Sequence, residues 1–397
     1  MRVLMVLDHP YPSDLRVENE ARTLREAGHE VTLLQLAPDG RPALDEHDGT
    51  RVVRHRLPAR LRNALRGTAG MLPAMDLYLA RLVERTWVGW PFDVLHVHDL
   101  YLVGGGLRAG RRLGVPVVAD LHENWVEALR HYAWSTRPPG KWVVRIPRWE
   151  RVERAWTRAA DRLVVPIEEA AARYAALGVE PGRIAVVPNT VDLESFGAYP
   201  IEQDVVDRLA SPLTLVYTGG IDAHRGLETV VDAMPEILAR EPGARLVVVG
   251  DGRTRAELEA RAAALDLGDR AVFEGFQPQP LVKSYLAAAD LALIPHLKTA
   301  HTDHTIPHKL FHAMLVGTPV VVSDCDPLER IVTAERCGVV FRSGDAASFA
   351  DAVARAAPPE ARREMGARGA AAVRERYHWD ATAAPLVETY AALGAGR

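Results

Sequence analysis

Residues 304–324, HTIPHKLFHAMLVGTPVVVSD, show in one short stretch the helix-and-strand pattern that recurs along the rest of the chain. They predict a loop, a helix that starts near Pro307, a short turn and a Val-rich strand, since Pro is favoured in a first helical turn. Lys309 falls in that turn, where free backbone N–H groups and the helix dipole favour an anion over a cation. A lysine here, in a chain with four lysines among 397 residues, indicates that an anion binds at this position.

Strand-like and helix-like segments alternate on both sides of this stretch. Helices are clearest at 17–27 and 168–177. The predicted strands are 3–7, 31–36, 93–98, 115–121, 162–166 and 183–188, then 213–220, 244–252, 271–275, 290–296, 318–324 and 337–341. Such alternation is typical of parallel sheets covered on both faces. The two series therefore predict an α/β protein with two Rossmann-like, doubly wound domains facing a central cleft.

The domain boundaries follow from the place where the alternation pauses. We assign 1–195 to an N-terminal domain and 205–375 to a C-terminal domain, and interpret 192–212 as a polar, proline-containing connection. The segment 379–397 has helical periodicity and no strand after it. We expect it to be a closing helix that returns to the N-terminal domain.

Composition narrows the function classes. The formal net charge of −4 gives no electrostatic reason to expect nucleic acid as a partner. Two cysteines, Cys325 and Cys337, fit a reducing compartment better than a disulfide framework. The start, MRVLMVLDHP, is typical of a first strand and not of a signal peptide, and no window approaches 18 uninterrupted apolar residues. We therefore expect a cytoplasmic protein. Separately, we expect neither a cofactor nor a metal.

A second anion site is predicted in YTGGIDAHRGLE, residues 217–228. Gly219 and Gly220 allow a tight turn off a strand, and Arg225 opens the next helix, where a guanidinium can donate paired hydrogen bonds to phosphate. The alternative is a solvated arginine, which the helix dipole disfavours unless an anion is bound. Two such sites at corresponding strand ends predict a bridging diphosphate. GDG at 250–252 is a weaker signal because it also fits an ordinary tight turn.

The order and spacing of the motifs resemble glycosyltransferases of the GT-B fold, family 4 type, nearly from end to end. Matching segments include LREAGHEVTLL (24–34), HVHD (96–99), VVPNTVDLESF (186–196), VYTGGIDAHRGLETVVDAM (216–234), LVVVGDGRTRAELE (246–259), VFEGF (272–276) and PHKLFHAMLVGTPVVVSD (307–324). The resemblance implies that the C-terminal domain holds a nucleoside diphosphate sugar and that the N-terminal domain holds the acceptor. It also implies retention of configuration at the anomeric carbon.

The resemblance carries over to individual residues. Arg225 and Lys309 resemble the pair that neutralises the donor diphosphate, and His122 resembles the histidine that approaches the transferred sugar, so these three are the predicted catalytic residues. The predicted donor-binding residues are Gly219, Gly220, His224, Gly250, Gly275, Phe276, His304, Ile306, Pro307, His308 and His312. Backbone around Gly275 and Phe276 would frame the base. The predicted acceptor-binding residues are Arg16, His98, Glu123 and Asn124.

Several positions depart from the family pattern. His304 and His312 stand where the family usually has two glutamates, and a neutral imidazole accepts one hydrogen bond where a ribose-binding carboxylate accepts more. SDLRVENEA at 13–21 replaces the expected glycine-rich loop, Gly220–Ile221 lacks an arginine often found there, and Thr190 replaces a glycine. We interpret the chain as a divergent member with an unusual donor or acceptor.

Metal binding is an alternative interpretation of three motifs. His304, His308 and His312 recur at i, i+4 and i+8, but Pro307 places His304 outside the helix and no flanking carboxylate suggests a second shell of partners. DCD at 324–326 is similar to a metal-binding Asp-x-Asp, although Asp is common at a helix N-cap. The third motif, His96 with His98, is interpreted as part of a pocket rim and not as a ligand pair.

A tryptophan-rich, basic region lies between Trp125 and Trp156. Trp142, Trp149 and Trp156 recur every seven residues, near helical spacing. Three interpretations are open: a helix that packs its aromatic face on the N-terminal domain, an acceptor-binding wall or lid, and weak docking on a membrane surface, helped by the basic stretch 51–66. A small-molecule acceptor is favoured over a lipid.

The main functional hypothesis is metal-independent transfer of a sugar from a nucleoside diphosphate sugar to a small-molecule acceptor. Arg225, Lys309 and a helix N-terminus would stabilise the phosphate charge that builds up as the glycosidic bond breaks. One alternative is a binding or scaffolding protein of the same fold that has lost catalysis, which the two glutamate-to-histidine changes motivate. Another is an epimerase or phosphorylase on this fold.

Overall fold

The chain forms two compact units in a computed structural model that describes residues 1–12, 14–36, 40–130, 132–138 and 140–395. Unit 1 comprises Met1–Pro188 together with Ala383–Arg397, and unit 2 comprises Asn189–Thr382. Each unit is built on one β-sheet. The chain therefore leaves unit 1 once and comes back to it in its last segment.

Unit 1 contains an eight-stranded sheet in the order β3-β4-β2-β1-β5-β6-β7-β8. Its strands are β1 (Arg2–Leu7), β2 (Glu30–Gln35), β3 (Leu44–His47), β4 (Thr50–Arg54), β5 (Val94–His98), β6 (Val117–Asp120), β7 (Arg162–Val165) and β8 (Ile184–Val186). All six strands predicted for this half are confirmed. The central strands are almost entirely buried, as expected of Val- and Leu-rich parallel strands covered on both faces.

The edge of this sheet differs from the prediction. β3 pairs antiparallel with β4, so the expectation of purely parallel strands is wrong here. Asp48 and Gly49 connect the two strands with φ values of 46° and 69°, the left-handed conformation that a tight two-residue hairpin turn requires. The hairpin was missed because LDEH is polar and half exposed, which hides the apolar pattern of a strand.

The helices of the first part of unit 1 cover this sheet. They are α1 (Leu15–Glu26), α2 (Ala59–Thr68), α3 (Ala74–Gly89), α4 (Leu100–Leu113), α5 (Trp125–Ala128), α6 (Ala133–Thr136), α7 (Gly140–Val143), α8 (Ile146–Ala159) and α9 (Glu168–Ala176). Trp149 and Trp156 lie in α8, whereas Trp142 lies in the separate helix α7. The seven-residue tryptophan spacing therefore does not mark one continuous helix.

Unit 2 contains a six-stranded sheet in the order β11-β10-β9-β12-β13-β14, and every pairing in it is parallel. Its strands are β9 (Leu213–Thr218), β10 (Ala244–Val249), β11 (Ala271–Gly275), β12 (Leu291–Ile294), β13 (Val320–Ser323) and β14 (Gly338–Phe341). They confirm the six strands predicted for the second half. Apolar residues of these strands and of the covering helices form a continuous core.

The helices of unit 2 include two in the segment that was interpreted as a connection. They are α10 (Leu193–Ala198), α11 (Gln203–Leu209), α12 (Leu227–Arg240), α13 (Arg255–Ala264), α14 (Gln279–Ala288), α15 (His308–Val316), α16 (Asp326–Glu335), α17 (Ala346–Ala356), α18 (Pro359–Glu375) and α19 (Trp379–Thr382). Asp192 caps α10 by accepting a hydrogen bond of 2.7 Å from the Ser195 backbone N–H. The segment 192–212 is therefore largely helical.

The last segment is divided between the two units. The predicted single helix over 379–397 is instead α19 in unit 2 and α20 (Ala384–Ala395) in unit 1, with Ala383 between them, while residues 396–397 lie outside the described part. The Tyr390 hydroxyl of α20 lies 2.7 Å from His96 Nδ1 in the buried interior of unit 1. Among the described residues, no helix is long and apolar enough to cross a membrane.

The strand orders determine where a ligand can bind in each unit. β1 lies between β2 and β5, and β9 lies between β10 and β12, so the strand order reverses at these points. Ligands of open α/β sheets bind beyond the carboxyl ends of the strands near such a reversal. In unit 2 this edge carries the loops 219–226 and 295–307, and in unit 1 it carries residues that follow β1, β5 and β6.

Candidate functional site

Three glycines bring the strand ends of unit 2 close together. The Gly250 N–H donates to the Gly275 carbonyl at 2.8 Å, and the Gly219 N–H donates to the Val249 carbonyl at 2.9 Å. A Cβ on Gly250 would lie 2.0 Å from the Gly219 oxygen, and Gly219 and Gly250 have φ values of 127° and 137°. Only glycine fits both constraints. Backbone at these strand ends can thus approach a ligand closely.

Lys309 lies in the first turn of α15 and points toward this glycine turn. Its Nζ lies 3.9 Å from the centre of the Tyr217 ring, and a Cβ on Gly219 would be 2.7 Å from it. The ammonium is shielded from solvent and has no hydrogen-bond partner in the described part of the chain. Burial, and then the nearby Arg225 charge, hold the pKa of Lys309 well below its ordinary value. Lys309 is therefore a buried amine with no counter-ion among the described residues, and an anion beside it would favour its charged form.

Arg225 supplies a second cation beside Lys309. Its Nη1 lies 3.1 Å from His296 Nε2, and its Nε is buried without a partner among the described residues. Burial, followed by Arg225 and Lys309, holds the pKa of His296 well below its ordinary value, so the imidazole is neutral and accepts from the guanidinium. Neither cation is paired with a described carboxylate. Two donors of this kind can bind the oxygens of an anion.

Several other histidines of unit 2 lie in the chain segments that carry these cations. The His224 ring is 6.1 Å from that of His301, and burial, then Arg225, lowers the pKa of His224 to about 4. His304 lies in a short 3-10 turn and its Nδ1 is 2.7 Å from the Ala300 carbonyl. Pro307 is the N-cap of α15 and not its first residue. Ile306 before it is buried.

His308 and His312 share one face of α15, and Phe196 covers the second of them. The His312 ring stacks on Phe196 with a centroid distance of 4.2 Å and an interplanar angle of 3°, and on His308 at 6.3 Å. Burial, then His308, lowers the pKa of His312 to about 3. His304 is outside the helix, as predicted, so the three histidines do not share a helical face.

Phe276 completes the strand-end loops of unit 2. Its side chain is 78% exposed directly after β11, while Gly275 before it has a φ of 71°. An aromatic ring left in water at the ligand-binding edge of a sheet is available for stacking on a planar group. Gly220 lies near Tyr217, whose hydroxyl donates to the Gly220 carbonyl at 2.6 Å.

In unit 1, His122 follows β6 and forms an ion pair with Asp120. His122 Nε2 lies 3.2 Å from Asp120 Oδ2 and 3.1 Å from His98 Nδ1. Burial alone would lower the pKa of His122, but the Asp120 carboxylate outweighs it and raises the pKa to about 10. His122 is therefore an imidazolium at neutral pH. It can donate hydrogen bonds, but it cannot act as a general base.

Arg16 and His98 are buried, so the structure does not support their predicted direct contact with an acceptor. The Arg16 guanidinium donates to both Asp120 oxygens at 2.9 and 3.2 Å and to the Val187 carbonyl at 2.7 Å. These bonds satisfy a charge that would otherwise be costly to bury. Arg16 thereby holds Asp120 in the position that pairs with His122.

The prediction that His96 and His98 line a pocket rim is wrong. Both side chains are fully buried, and their rings stack at 4.7 Å. Burial lowers the pKa of His98 to about 4. β5 is covered on both faces, so alternate residues of the strand all point into the core.

Glu123 and Asn124 follow His122 and differ in whether their side chains are free to contact a ligand. The Glu123 carboxylate accepts from the Tyr132 hydroxyl at 2.9 and 3.1 Å, and burial, then Asp99, raises its pKa to about 7. Asn124 caps α5, because its side-chain oxygen accepts from the Glu127 N–H at 3.3 Å. Glu123 thus presents a half-buried carboxyl at the sheet edge, and Asn124 has a structural role.

Two groups of side chains in the described residues of unit 1 have the composition of metal ligands. Their ligand atoms lie within 4.8 Å of one another, and the groups are Glu20, His96, His98 and Asp120, and Asp8, His9 and Asp99. The first group already contains the Arg16 charge, which lies 3.0 Å from Glu20 Oε1 and supplies a cation without a metal. Neither group includes the histidines of 304–312 or the aspartates of 324–326. Asp326 instead forms an ion pair with Lys298.

Sequence reasoning missed three residues that complete these sites. Tyr217 and His296 lie next to Lys309 and Arg225, and Asp120 lies next to His122. Each is a polar residue at or just after the end of a buried strand, which is the signal that could have identified it. Their pairing depends on which strand ends are neighbours, and that follows from the topology.

The chain is similar to known proteins along most of its length. A family model described as Glycosyltransferase Family 4 matches residues 15–195, and one described as Glycosyl transferases group 1 matches residues 212–357. A 2-deoxystreptamine glucosyltransferase of Streptomyces kanamyceticus is 30% identical over 318 residues, which cover 76% of this chain and 78% of that protein. A D-inositol 3-phosphate glycosyltransferase of Xylanimonas cellulosilytica is 29% identical over 420 aligned positions, covering 98% and 96%. The solved structure of a sucrose-phosphate synthase from Thermosynechococcus elongatus matches with a TM-score of 0.81 at 22% identity, covering 100% of both chains.

Proposed function

Because the chain belongs to the family 4 glycosyltransferases and has the GT-B fold, we propose that it transfers a sugar from a nucleoside diphosphate sugar to a small polyhydroxylated acceptor. The observation that carries the donor assignment is the buried Lys309 ammonium, which has no counter-ion among the described residues. A buried unpaired cation is costly, and an anionic ligand removes that cost. A diphosphate matches two adjacent cations at one strand reversal.

The donor is proposed to lie at the carboxyl edge of the unit 2 sheet. Lys309, Arg225 and the free N–H groups at the start of α15 would bind the diphosphate, as the helix dipole favours. The glycines at 219, 250 and 275 leave room for the ligand beside the backbone. The exposed Phe276 ring would stack on the base, and His308 and His312 would lie on the ribose side.

The proposed reaction forms a bond between an acceptor hydroxyl oxygen and the anomeric carbon of the donor. The bond from that carbon to the phosphate oxygen breaks, and its electron pair goes to the nucleoside diphosphate. The departing phosphate oxygen can take the proton of the acceptor hydroxyl, so no side-chain base is required. Lys309 and Arg225 stabilise the negative charge that develops on the phosphate, which is the largest contribution a site of this kind makes to catalysis. Retention at the anomeric carbon is part of the proposal.

His122 is proposed to act as a hydrogen-bond donor and a fixed positive charge. Its pairing with Asp120 keeps the imidazole protonated across the physiological range. An imidazolium can donate to sugar hydroxyls and stabilise nearby negative charge, but it has no lone pair to accept a proton. The Asp120–Arg16 pair is proposed to position it.

The acceptor is proposed to be a cyclitol or a similar ring with several hydroxyl groups. Two relatives that match most of this chain are named for 2-deoxystreptamine and for D-inositol 3-phosphate, and both acceptors are six-membered carbocycles. Unit 1 offers polar groups suited to such rings at its sheet edge, namely Glu123, His122 and Asp99. We also propose that the transfer is metal-independent, because Arg225 and Lys309 would supply positive charge beside the diphosphate.

A transfer assay tests the proposal. The purified protein is incubated with a panel of nucleoside diphosphate sugars and with inositol, inositol phosphate and 2-deoxystreptamine, with and without EDTA. We expect one donor and one cyclitol to give a glycoside whose anomeric configuration matches the donor by NMR, unchanged by EDTA. Tight nucleotide binding with neither transfer nor donor hydrolysis would instead support a binding protein that has lost catalysis.

A further inference from the structure

Two stretches of unit 1 contain no acidic residue, although the whole chain has a net charge of −4. Residues 49–75 contain six arginines, and residues 128–149 contain four arginines and Lys141. Such blocks of one sign do not arise from a mixed surface composition by default. They indicate a partner of the opposite charge.

The fold brings these two stretches together. α2 contacts α7, and a Cβ on Gly67 of α2 would lie 3.4 Å from the Trp134 ring. Arg148 Nε donates to the Gly70 carbonyl at 2.8 Å. Segments that are about eighty residues apart in the sequence therefore form one surface, which we call the basic–aromatic face and define as 56–72 with 134–138 and 140–148.

Large apolar side chains stand out of this face into solvent. Trp142 is 69% exposed, and four further apolar residues of the face are exposed, namely Leu61, Leu72, Trp134 and Val143. Exposed apolar residues scattered singly are normal, whereas several on one face mark an interaction site. The face thus carries apolar area that unit 1 itself does not cover.

Several exposed cations of the face also lack an ion pair with any described residue. Other exposed arginines do form ion pairs with carboxylates, for example Arg261 with Asp232 and Arg376 with Glu335 in unit 2. On the face, four exposed cations form no ion pair with a described carboxylate: Arg60, Arg137, Lys141 and Arg145. An unpaired cation keeps its full attraction for an external anion.

We propose that the basic–aromatic face docks unit 1 on an anionic lipid surface. Tryptophan, with an apolar ring and one N–H donor, is suited to the level of lipid headgroups. Cations around it attract anionic lipids, and Leu and Val side chains enter the boundary of the acyl chains. Nucleic acid or an acidic protein would match the charge but would leave Leu61, Leu72 and Val143 without an apolar environment.

The face is connected to the candidate site of unit 1 by packed aromatic rings. The Trp134 ring lies 6.2 Å from Trp125 and 6.4 Å from Tyr132, whose hydroxyl donates to Glu123. Arg66 of α2 lies 5.1 Å from the centre of the Trp125 ring. Docking through this face would hold Glu123 within one or two side chains of the lipid surface. The docking proposal does not depend on the proposed reaction.

Vesicle sedimentation of the whole protein tests the docking. Neutral phosphatidylcholine vesicles are compared with vesicles that contain about 30% phosphatidylglycerol, at about 50 mM and about 500 mM salt. We expect binding only to the anionic vesicles and only at low salt. Tryptophan fluorescence should shift to the blue on binding, because indoles leave water.

Variants of exposed residues identify the surface. We expect Lys141→Gln with Arg145→Gln to weaken vesicle binding by roughly 25-fold, about fivefold per charge, and Trp142→Ala to weaken it by about tenfold. Matched controls are Arg270→Gln with Arg374→Gln, two exposed arginines of unit 2, and Val88→Ala, an exposed residue of α3. These controls should bind vesicles like the wild type.

The outcomes separate the occupants of the face. Failure to bind anionic vesicles, equal binding to neutral ones, or equal losses in the controls would overturn the proposal. Saturable binding to polyglutamate or heparin without vesicle binding would also overturn it and would point to an acidic polymer instead. Because no nucleotide is present, none of these results depends on whether the protein transfers a sugar.

Discussion

At the scale of single residues, the features that matter most are charged groups whose partners are missing or unusually close. Lys309 and Arg225 have buried nitrogen atoms that are unpartnered within the described residues. His122, in contrast, has a close carboxylate partner in Asp120. The first pair is proposed to bind an anion, whereas the Asp120 carboxylate keeps His122 protonated.

Replacing Lys309 tests the role of the unpaired cation. Lys309→Ala should lower turnover about 100-fold or more at saturating donor, because the positive charge acts on the departing phosphate. Steady-state kinetics with the preferred donor measure this. Lys283→Ala is the matched control, since Lys283 in the same unit donates to the Gly197 and Tyr199 carbonyls and was given no role in donor binding. Near wild-type turnover of Lys309→Ala would remove this residue from the mechanism.

The Asp120–His122 pair makes a prediction about pH. The pKa of His122 rises on folding from 6.5 to about 10, so its stabilising contribution is complete below pH 6.5 and is lost as pH rises through about 10. The free energy of unfolding of the wild type should therefore fall relative to that of His122→Gln over this range. Urea titrations at several pH values measure the difference. A constant difference from pH 6.5 to 10 would contradict the ion pair.

At the scale of secondary-structure elements, the sequence predicted most strands well. It predicted poorly what covers some strands and how the edge strands pair. Lys309 was singled out because a cation in the first turn of a helix is a local signal. Arg225, predicted to open a helix, instead ends the 3-10 turn Ala223–Arg225 just before α12. The burial of His96 and His98 was missed because it depends on helices that cover both faces of β5. The β3–β4 hairpin was missed because its edge strand is polar. Each of these missed features depends on the tertiary structure, which local sequence patterns do not contain.

Trp142 and Trp149 provide a matched test of whether the seven-residue spacing predicts burial. Trp149 of α8 is fully buried against Trp125, so Trp149→Ala should lower the free energy of unfolding by about 3–5 kcal/mol. Trp142 of α7 is 69% exposed, and Trp142→Ala should change the free energy of unfolding by less than about 0.5 kcal/mol. Urea unfolding of both variants measures the contrast. Similar losses would mean that the seven-residue spacing does mark one buried face.

At the scale of the whole molecule, the chain makes unit 1 from its first and last segments. α20 reaches the interior of unit 1 through the contact between Tyr390 and His96, which are 294 residues apart. The helical periodicity after residue 379 predicted that a last helix returns to the N-terminal domain, but it did not predict which residues this helix contacts. Those contacts follow from the folded sheet.

Removal of the Tyr390 hydroxyl tests how this last helix is held. Tyr390→Phe leaves the buried His96 Nδ1 without its partner and should cost about 1–3 kcal/mol of stability. α20 should then be released more readily, seen as faster proteolysis near Ala383. Tyr199→Phe in unit 2, whose ring packs on Phe196, is the control. Equal protease resistance in both variants would show that the hydroxyl does not anchor α20.

The most direct measurement of the central claim is calorimetric titration of the protein with UDP, GDP, ADP and TDP, each with and without EDTA. If the unpaired cations of unit 2 bind a donor diphosphate, one nucleotide should bind tightly, without a metal, and binding should be lost in Lys309→Ala and Arg225→Ala. Binding should also take up a proton at pH values between the lowered pKa of Lys309 and its ordinary value, because a phosphate would restore that pKa. Binding that requires a metal, survives both substitutions or occurs with none of the four nucleotides would contradict the account.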